Sequence, residues 1–449
     1  MSPALPALTV LAAVEPPAAG TPLAWRLVSF LGIFVMIGIA WLLSTNRRGV
    51  RWRPVAWGVA LQLVIGLVIL NPALQGFFFD VVDSGVRRLL SFSEAGADFV
   101  FQSVEAHQIL SAEGEAVTFV GRISPPVKTF AFWILPTIIF FSSLMAILYH
   151  VGVMQRVVWA VAWVMQRTMK TSGAESLSAA ANIFVGQTEA PLVVRPFVER
   201  MTRSELMAVM TAGFATVAGG VMAAYVSFLR DIPGIAGHLV TASLLSAPAA
   251  LAISKVMVPE DGEPETAGKL HIEIEKTDRN LIEAAANGAA TGVKLAINVA
   301  AMLIAFVGLI AMVDFLLGLI PMGGDPLSMS RIFGWAFAPI AFCMGVPWDE
   351  AAVVGRLLGE KIVLTEFIAY IHLGGIQSGP EPLSDRSAII ASYALCGFAN
   401  FASIGIQLGG IGGLAPSRMG DLAALGLRAM IAGSLAAFMT ANIAGILLG

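Results

Sequence analysis

The 449-residue chain reads as an all-α polytopic membrane protein, with about eight transmembrane helices, two re-entrant hairpins in inverted repeats, and interfacial helices. Three observations lead there. Hydrophobic residues make up 57% of the sequence and charged residues 13%, against roughly 25% charged for a soluble domain. That leaves too little polar surface for a soluble body of this size. The apolar residues fall in long runs, not in the period-two alternation of an outer-membrane barrel. Finally, one order of elements occurs twice. The net charge of −3 says nothing useful about partners, and no basic tract suggests nucleic acid.

Residues 1–21 are a Pro/Ala-rich extramembrane tail without the basic n-region of a secretory signal. The first span is 23–43. After it, Asn46-Arg-Arg-Gly-Val-Arg-Trp-Arg53 puts the loop in the cytoplasm and the N-terminus outside. Residues 54–70 return outward. The mixed charges of 77–119 suit an interfacial helix on the outer face plus a loop, so 22–126 form an N-terminal scaffold. The first repeat is 127–257. It runs through a span at 127–150, a Trp/Arg-flanked interfacial helix at 155–167 and a hairpin at 176–198. A span at 206–229, broken at Thr216-Val-Ala-Gly-Gly220, and a span at 236–256 complete it.

The charged stretch 258–290 reads as a cytoplasmic loop and surface helix. Residues 291–449 then repeat the order. A span at 296–319 leads through Pro321-Met-Gly-Gly-Asp325 to an amphipathic piece at 331–342. A hairpin at 350–373 follows, then a span at 387–408 broken between Gly397 and Ser403, and a last span at 422–448. One hairpin follows an inward span and the other an outward one, so the repeats are inverted. Inverted repeats with discontinuous helices point to a secondary transporter whose site lies between the repeats.

A carboxylate inside an apolar segment is costly, which marks it as functional. Glu189 lies in Gly186-Gln-Thr-Glu-Ala-Pro191, and its Thr188-Glu189 pair recurs as Thr365-Glu366. Two acids facing one cavity disfavour an anion and suit a neutral, hydroxyl-rich or cationic solute. The plainer role for each is pairing with a base, such as Lys361 beside Glu366. Gln187 and Thr188 supply donors and acceptors for the edge of a base, or satisfy one another at a hairpin tip. Asn400 and Ser403, three residues apart, share a helix face. With Glu366 they could bind a diol, or simply join helices. Phe398 is a core residue or a pocket wall. Oxygens for a hard monovalent cation come from Asn182, Thr216 and freed carbonyls at Val185 and Val217, although Asn and Thr also cap broken helices.

Other classes fit poorly. The five histidines show no metal-ligand spacing, and no Gly-x-Ser-x-Gly elbow is present. Cys343 and Cys396 lie in apolar sequence and read as small core residues. An intramembrane hydrolase is therefore disfavoured, and the chain is not read as an enzyme. A channel would need a ring or filter in place of paired hairpins.

Gly186-Gln-Thr-Glu-Ala-Pro191, Thr365-Glu-Phe367 and Ser387-Ala-Ile-Ile-Ala-Ser-Tyr-Ala-Leu-Cys-Gly-Phe-Ala-Asn-Phe-Ala-Ser-Ile-Gly-Ile406 closely resemble the concentrative nucleoside transporter family. The match covers nearly the whole chain past the tail. The resemblance implies cation-coupled nucleoside uptake across the cell inner membrane by a homotrimer with mobile transport domains. It assigns Gly186, Gln187, Thr188 and Glu189 to the first-hairpin site, with Gln187 and Thr188 on the nucleobase and Val221 lining the base side. Glu366, Asn400 and Ser403 match the ribose set, and Phe398 a pocket wall. Asn182, Val185, Thr216 and Val217 match the sodium site. Thr216 stands where a serine is familiar, with the hydroxyl kept. A proton is the alternative coupling ion. Gly186 implies room for a purine.

Overall fold

The computed structural model describes residues 22–101, 104–110, 116–122, 129–268, 278–320 and 326–448. The expected N-terminal tail, residues 269–277 of the charged loop, and the 321–325 turn lie outside the described residues. Helices α1 (Leu23–Leu42) and α2 (Trp52–Ile69) are followed by the long α3 (Pro72–Phe101). Where a loop was expected after this helix, two strands pair antiparallel. They are β1 (Val104–Leu110) and β2 (Ala116–Arg122), with Val104 opposite Arg122 and Leu110 opposite Ala116. A π-helical turn, Phe130–Ile134, leads into α4 (Leu135–Val151), which ends at left-handed Gly152 before α5 (Val153–Met169).

Next come α6 (Gly173–Asn182), a 3-10 turn Ala190–Val194 and the short α7 (Arg195–Val198). Helices α8 (Arg203–Ala215) and α9 (Gly219–Phe228) are one apolar path interrupted at Thr216-Val-Ala218, and α10 (Ile235–Met257) follows. The same order returns with α11 (Leu281–Gly318), α12 (Met329–Cys343), α13 (Trp348–Val363) and α14 (Glu366–Gln377). Helices α15 (Asp385–Leu395), α16 (Phe401–Leu414) and α17 (Met419–Leu447) complete it.

Two readings shift. The charged stretch does not carry a separate surface helix up to residue 290 among the described residues. Its last part is already α11, whose N-terminus is set by Asn280 accepting from the Ile282 and Glu283 amides. A polar first turn can run straight into an apolar span, and composition alone does not show the join. Seven helical stretches among the described residues are long and apolar enough to cross a membrane. The eighth expected span divides into α15 and α16, of 11 and 14 residues, each too short alone.

Local sequence explains where the helices start. Ser172 and Glu175 make a capping box at α6, and Thr202 and Glu205 make another at α8. Glu175 is also ion-paired to buried Lys255 of α10 at 2.6 Å, which anchors the beginning of α6. The packing of the two halves corresponds element by element. Helix α6 packs on the 3-10 turn after it and on α8, as α13 packs on α14 and α15. Helix α10 packs on α8 as α17 does on α15, and α10 and α17 pack on each other.

The core sits where the interrupted helices meet. In the most apolar stretches of α8–α9 and α10, 89% of the residues are buried, and in that of α11 none of the described ones is, so the outer helices shield an inner group. At its centre Gly397 has φ +113°, and a Cβ there would stand 2.6 Å from the Phe214 carbonyl oxygen and 2.8 Å from the Ala215 carbonyl. Gly433 of α17 admits the Phe214 side chain on the other side. The break after α15 therefore lies directly against the end of α8. Replacing Gly397 by Ala forces an L side chain into a left-handed conformation, at about 1–3 kcal/mol, and into a carbonyl. Thermal unfolding of the detergent-purified Gly397→Ala protein should start at a clearly lower temperature than that of the parent. An unchanged transition would contradict this packing.

Candidate functional site

The interruptions leave a cavity of about 1650 Å³ between the halves. Gly186, Gln187, Thr188, Glu189, Val221, Glu366, Phe398, Asn400 and Ser403 all line it. The sequence alone had placed these nine in four separate segments.

The best-defined part is at the start of α14 and α16. Asn400 is the N-cap of α16, and its Oδ1 accepts from the Ser403 amide at 2.9 Å. With its oxygen committed, the amide turns its Nδ2 to donate to Glu366 Oε2 at 2.9 Å. The other carboxylate oxygen accepts from the Tyr225 hydroxyl at 2.9 Å. Glu366 occupies the first turn of α14, where the helix dipole favours negative charge. Tyr225 is held by stacking on Tyr370, with ring centres 4.3 Å apart, and by an edge contact with Phe367. The arrangement is a buried carboxylate oriented from both sides, with lone pairs left for hydroxyl donors. Next to it Thr365 lines the cavity, with its hydroxyl buried and without a hydrogen-bond partner.

Gln187 forms the opposite part. Its Nε2 donates to the Ser403 hydroxyl at 3.2 Å, and its Oε1 accepts from Gln407 Nε2 at 3.0 Å. Gln407 also donates to the Met210 carbonyl at 3.1 Å, tying α16 to α8. The Thr188 methyl rests against Gly410 of α16. Val221 is buried, and Phe398 is half-buried on the cavity wall. The space beside Gly186, expected to suit a purine, is filled by the Glu189 carboxylate, which folds back over the glycine. An i,i+3 contact across a tight turn depends on side-chain torsions, which spacing does not reveal.

The four cation candidates lie at the two breaks of the first half. The Gly219 amide donates to the Phe184 carbonyl at 3.0 Å, drawing the turn after α6 against the start of α9. Asn182 is fully buried. Its Nδ2 donates to the Ser178 carbonyl, while its Oδ1 has no hydrogen-bond partner. The Thr216 hydroxyl donates to Ala212 O at 2.8 Å and keeps its lone pairs. Among the described residues, the Val185 and Val217 carbonyls accept no bond outside the helices. An orphaned amide oxygen, a hydroxyl oxygen and two free carbonyls are oxygens of the kind that a hard monovalent cation takes.

Sequence reading missed Tyr225 and Gln407. Each is one polar residue in a helix, with no local pattern to set it apart. Only the neighbouring half shows what it touches.

Three family models match consecutive stretches of the chain. They are "Na+ dependent nucleoside transporter N-terminus" at 31–104, "Nucleoside recognition" at 131–231 and "Na+ dependent nucleoside transporter C-terminus" at 238–445. Solute carrier family 28 member 3 of Rattus norvegicus is 43% identical over 438 residues, covering 94% of this chain and 59% of that protein. Sodium/nucleoside cotransporter 1 of Mus musculus is 41% identical over 440 residues, covering 94% and 64%. The chain thus spans about three-fifths of the length of these curated relatives. The solved structure of CNTnw in an inward-facing substrate-bound state aligns with TM-score 0.82 at 41% identity, covering 94% of this chain and 99% of that one. A CNTnw variant in an outward-facing state aligns with TM-score 0.85 at 40% identity, covering 96% and 100%.

Replacing Gln407 by Leu removes the donor to Gln187 and to the Met210 carbonyl. Leaving buried acceptors unpaired costs about 1–3 kcal/mol. The melting temperature of Gln407→Leu in detergent should drop accordingly, and equality with the parent would argue against the Gln187–Gln407–Met210 chain.

Proposed function

Because the chain belongs to the concentrative nucleoside transporter family, we propose that it is a symporter that imports nucleosides down a sodium gradient by alternating access. The observation that carries this reading is the convergence of Gln187, Ser403, Asn400 and Glu366 on one cavity between two interrupted helices. An amide-rich side and an oriented carboxylate side match the two parts of a nucleoside. Gln187 and Thr188 read the base, with Val221 beneath it. Glu366, Asn400 and Ser403 take the ribose hydroxyls, and Phe398 closes the pocket. Gly186 gives Glu189 the space to fold over the tip. Tyr225 and Gln407 position Glu366 and Gln187.

Sodium binds Asn182, Val185, Thr216 and Val217, where the turn after α6 meets the break after α8. Ordering that turn pre-sets Gln187 five residues on, so cation and nucleoside strengthen each other's binding by the same factor. With both bound, the polar groups of the site are paired, and moving it through an apolar environment costs less. The segments 176–198 and 350–373 act as re-entrant hairpins within the inverted repeats 127–257 and 291–449. They belong to the part that moves against the scaffold 22–126. The apolar stretch of α11, where no described residue is fully buried, supports a neighbour or lipid on the side turned away from α4. We place the protein as a homotrimer in the cell inner membrane.

Two measurements test this. Glu366→Gln and Asn400→Ala each weaken a charge-assisted contact of about 1.5–3 kcal/mol, so uridine uptake into liposomes should fall at least about tenfold with assembly intact. Unchanged uptake in both variants defeats the site assignment. Uptake by the parent under separate sodium and proton gradients decides the coupling ion. Accumulation with the proton gradient alone would favour proton coupling, absence of accumulation a channel, and release of free base a hydrolase.

A further inference from the structure

Lys361 is fully buried in the last turn of α13. Its Nζ donates to the carbonyls of Ala394 at 2.9 Å and Cys396 at 3.3 Å, and lies 5.8 Å from the centre of the Phe438 ring of α17. Those carbonyls belong to the end of α15, where the helix stops and its dipole is negative. The ammonium therefore sits among oxygens freed by a helix break and an aromatic face, both groups that attract a cation.

The first half has a matching position. There the turn after α6 meets the chain just past the break after α8, the Gly219 amide donating to the Phe184 carbonyl at 3.0 Å, as the last turn of α13 meets the break after α15 through Lys361. With no lysine near the end of α6, that end carries Asn182, whose Oδ1 is unpartnered, and the break after α8 carries Thr216 and the free Val217 carbonyl. One half presents cation-binding oxygens without a cation of its own, and the other presents them with one attached to the chain.

We propose that the Lys361 ammonium is a tethered cation holding, in the second half, the position that a transported sodium ion holds in the first. The inference rests on the sodium-symport reading and extends it to stoichiometry. Of the two matching positions only the one at Asn182 exchanges its ion with solution. Lys361 stabilises the broken α15 throughout the cycle, and within electrostatic reach of Glu366 it balances the carboxylate that takes the sugar. Removing the ammonium while leaving its carbonyls in place opens a second exchangeable sodium site.

The test compares parent, Lys361→Ala and Lys361→Arg as full chains in liposomes, measuring the sodium-to-uridine ratio at fixed membrane voltage. Lys361→Ala should show a higher ratio and a steeper sodium dependence of uptake, and Lys361→Arg should keep the parent's values. A parental ratio in a transporting Lys361→Ala protein overturns the proposal. A second readout does not need transport. Thermal unfolding in sodium chloride against choline chloride should show sodium stabilisation surviving in Asn182→Ala/Lys361→Ala and lost in Asn182→Ala alone. Recovery of folded Lys361→Ala only in sodium-containing buffers also supports the idea. A variant equally unstable in both salts overturns it. If the parent itself shows no sodium dependence, the symport reading fails before the role of Lys361 is tested.

Discussion

Two helices that stop inside a membrane protein free backbone groups at their ends, and here the two breaks meet at one crossing. Gly397, with φ +113°, lets the break after α15 press against the Phe214 and Ala215 carbonyls at the end of α8. A side chain at that position would separate the breaks, and the separation would be felt everywhere that depends on them. Asn400 starts α16 three residues later, and Thr216 lies one residue beyond α8. The cavity, the cation-suited oxygens and the Lys361 contacts all surround this one crossing.

The polar chemistry follows a single rule, that a buried polar group is held by another whose own remaining valence points onward. Asn400 spends its oxygen on the α16 amide and its nitrogen on Glu366. Gln407 bridges the Met210 carbonyl and Gln187, and Gln187 goes on to Ser403. Each link removes a rotational choice from the next. The cavity thus presents fixed donors and acceptors, and less entropy has to be lost when a solute binds. The chain of partners ends at Asn182 Oδ1 and the Thr365 hydroxyl, which are buried without a hydrogen-bond partner.

Much of this was legible in the sequence because a membrane makes composition and spacing informative. Glu189 and Glu366 stood out as charges in apolar surroundings, and Thr188-Glu189 with Thr365-Glu366 revealed the repeat. The breaks announced themselves through Gly-Gly beside Thr216 and through Asn400 in an otherwise apolar run. The strands after α3 did not, since that segment mixes charge and apolar residues without a clear period. The start of α11 was hidden because a polar, well-capped first turn resembles a surface helix until its continuation is seen. Gly186 looked like open space, whereas the nearby Glu189 carboxylate fills it.

Sequence by itself determined the solvent the chain needs, the two-fold order of its elements, the positions of its interruptions and the residues able to carry polar chemistry. These follow from hydrophobic length, capping chemistry and the cost of a buried charge, all of which are local. Tertiary structure alone decided which oxygens and amides meet. Tyr225 reaches Glu366 across 141 positions and Gln407 reaches Gln187 across 220, and Lys361 turns to the end of α15 instead of lining the cavity. Such pairings arise from how two halves pack, and no single segment carries the information that specifies them.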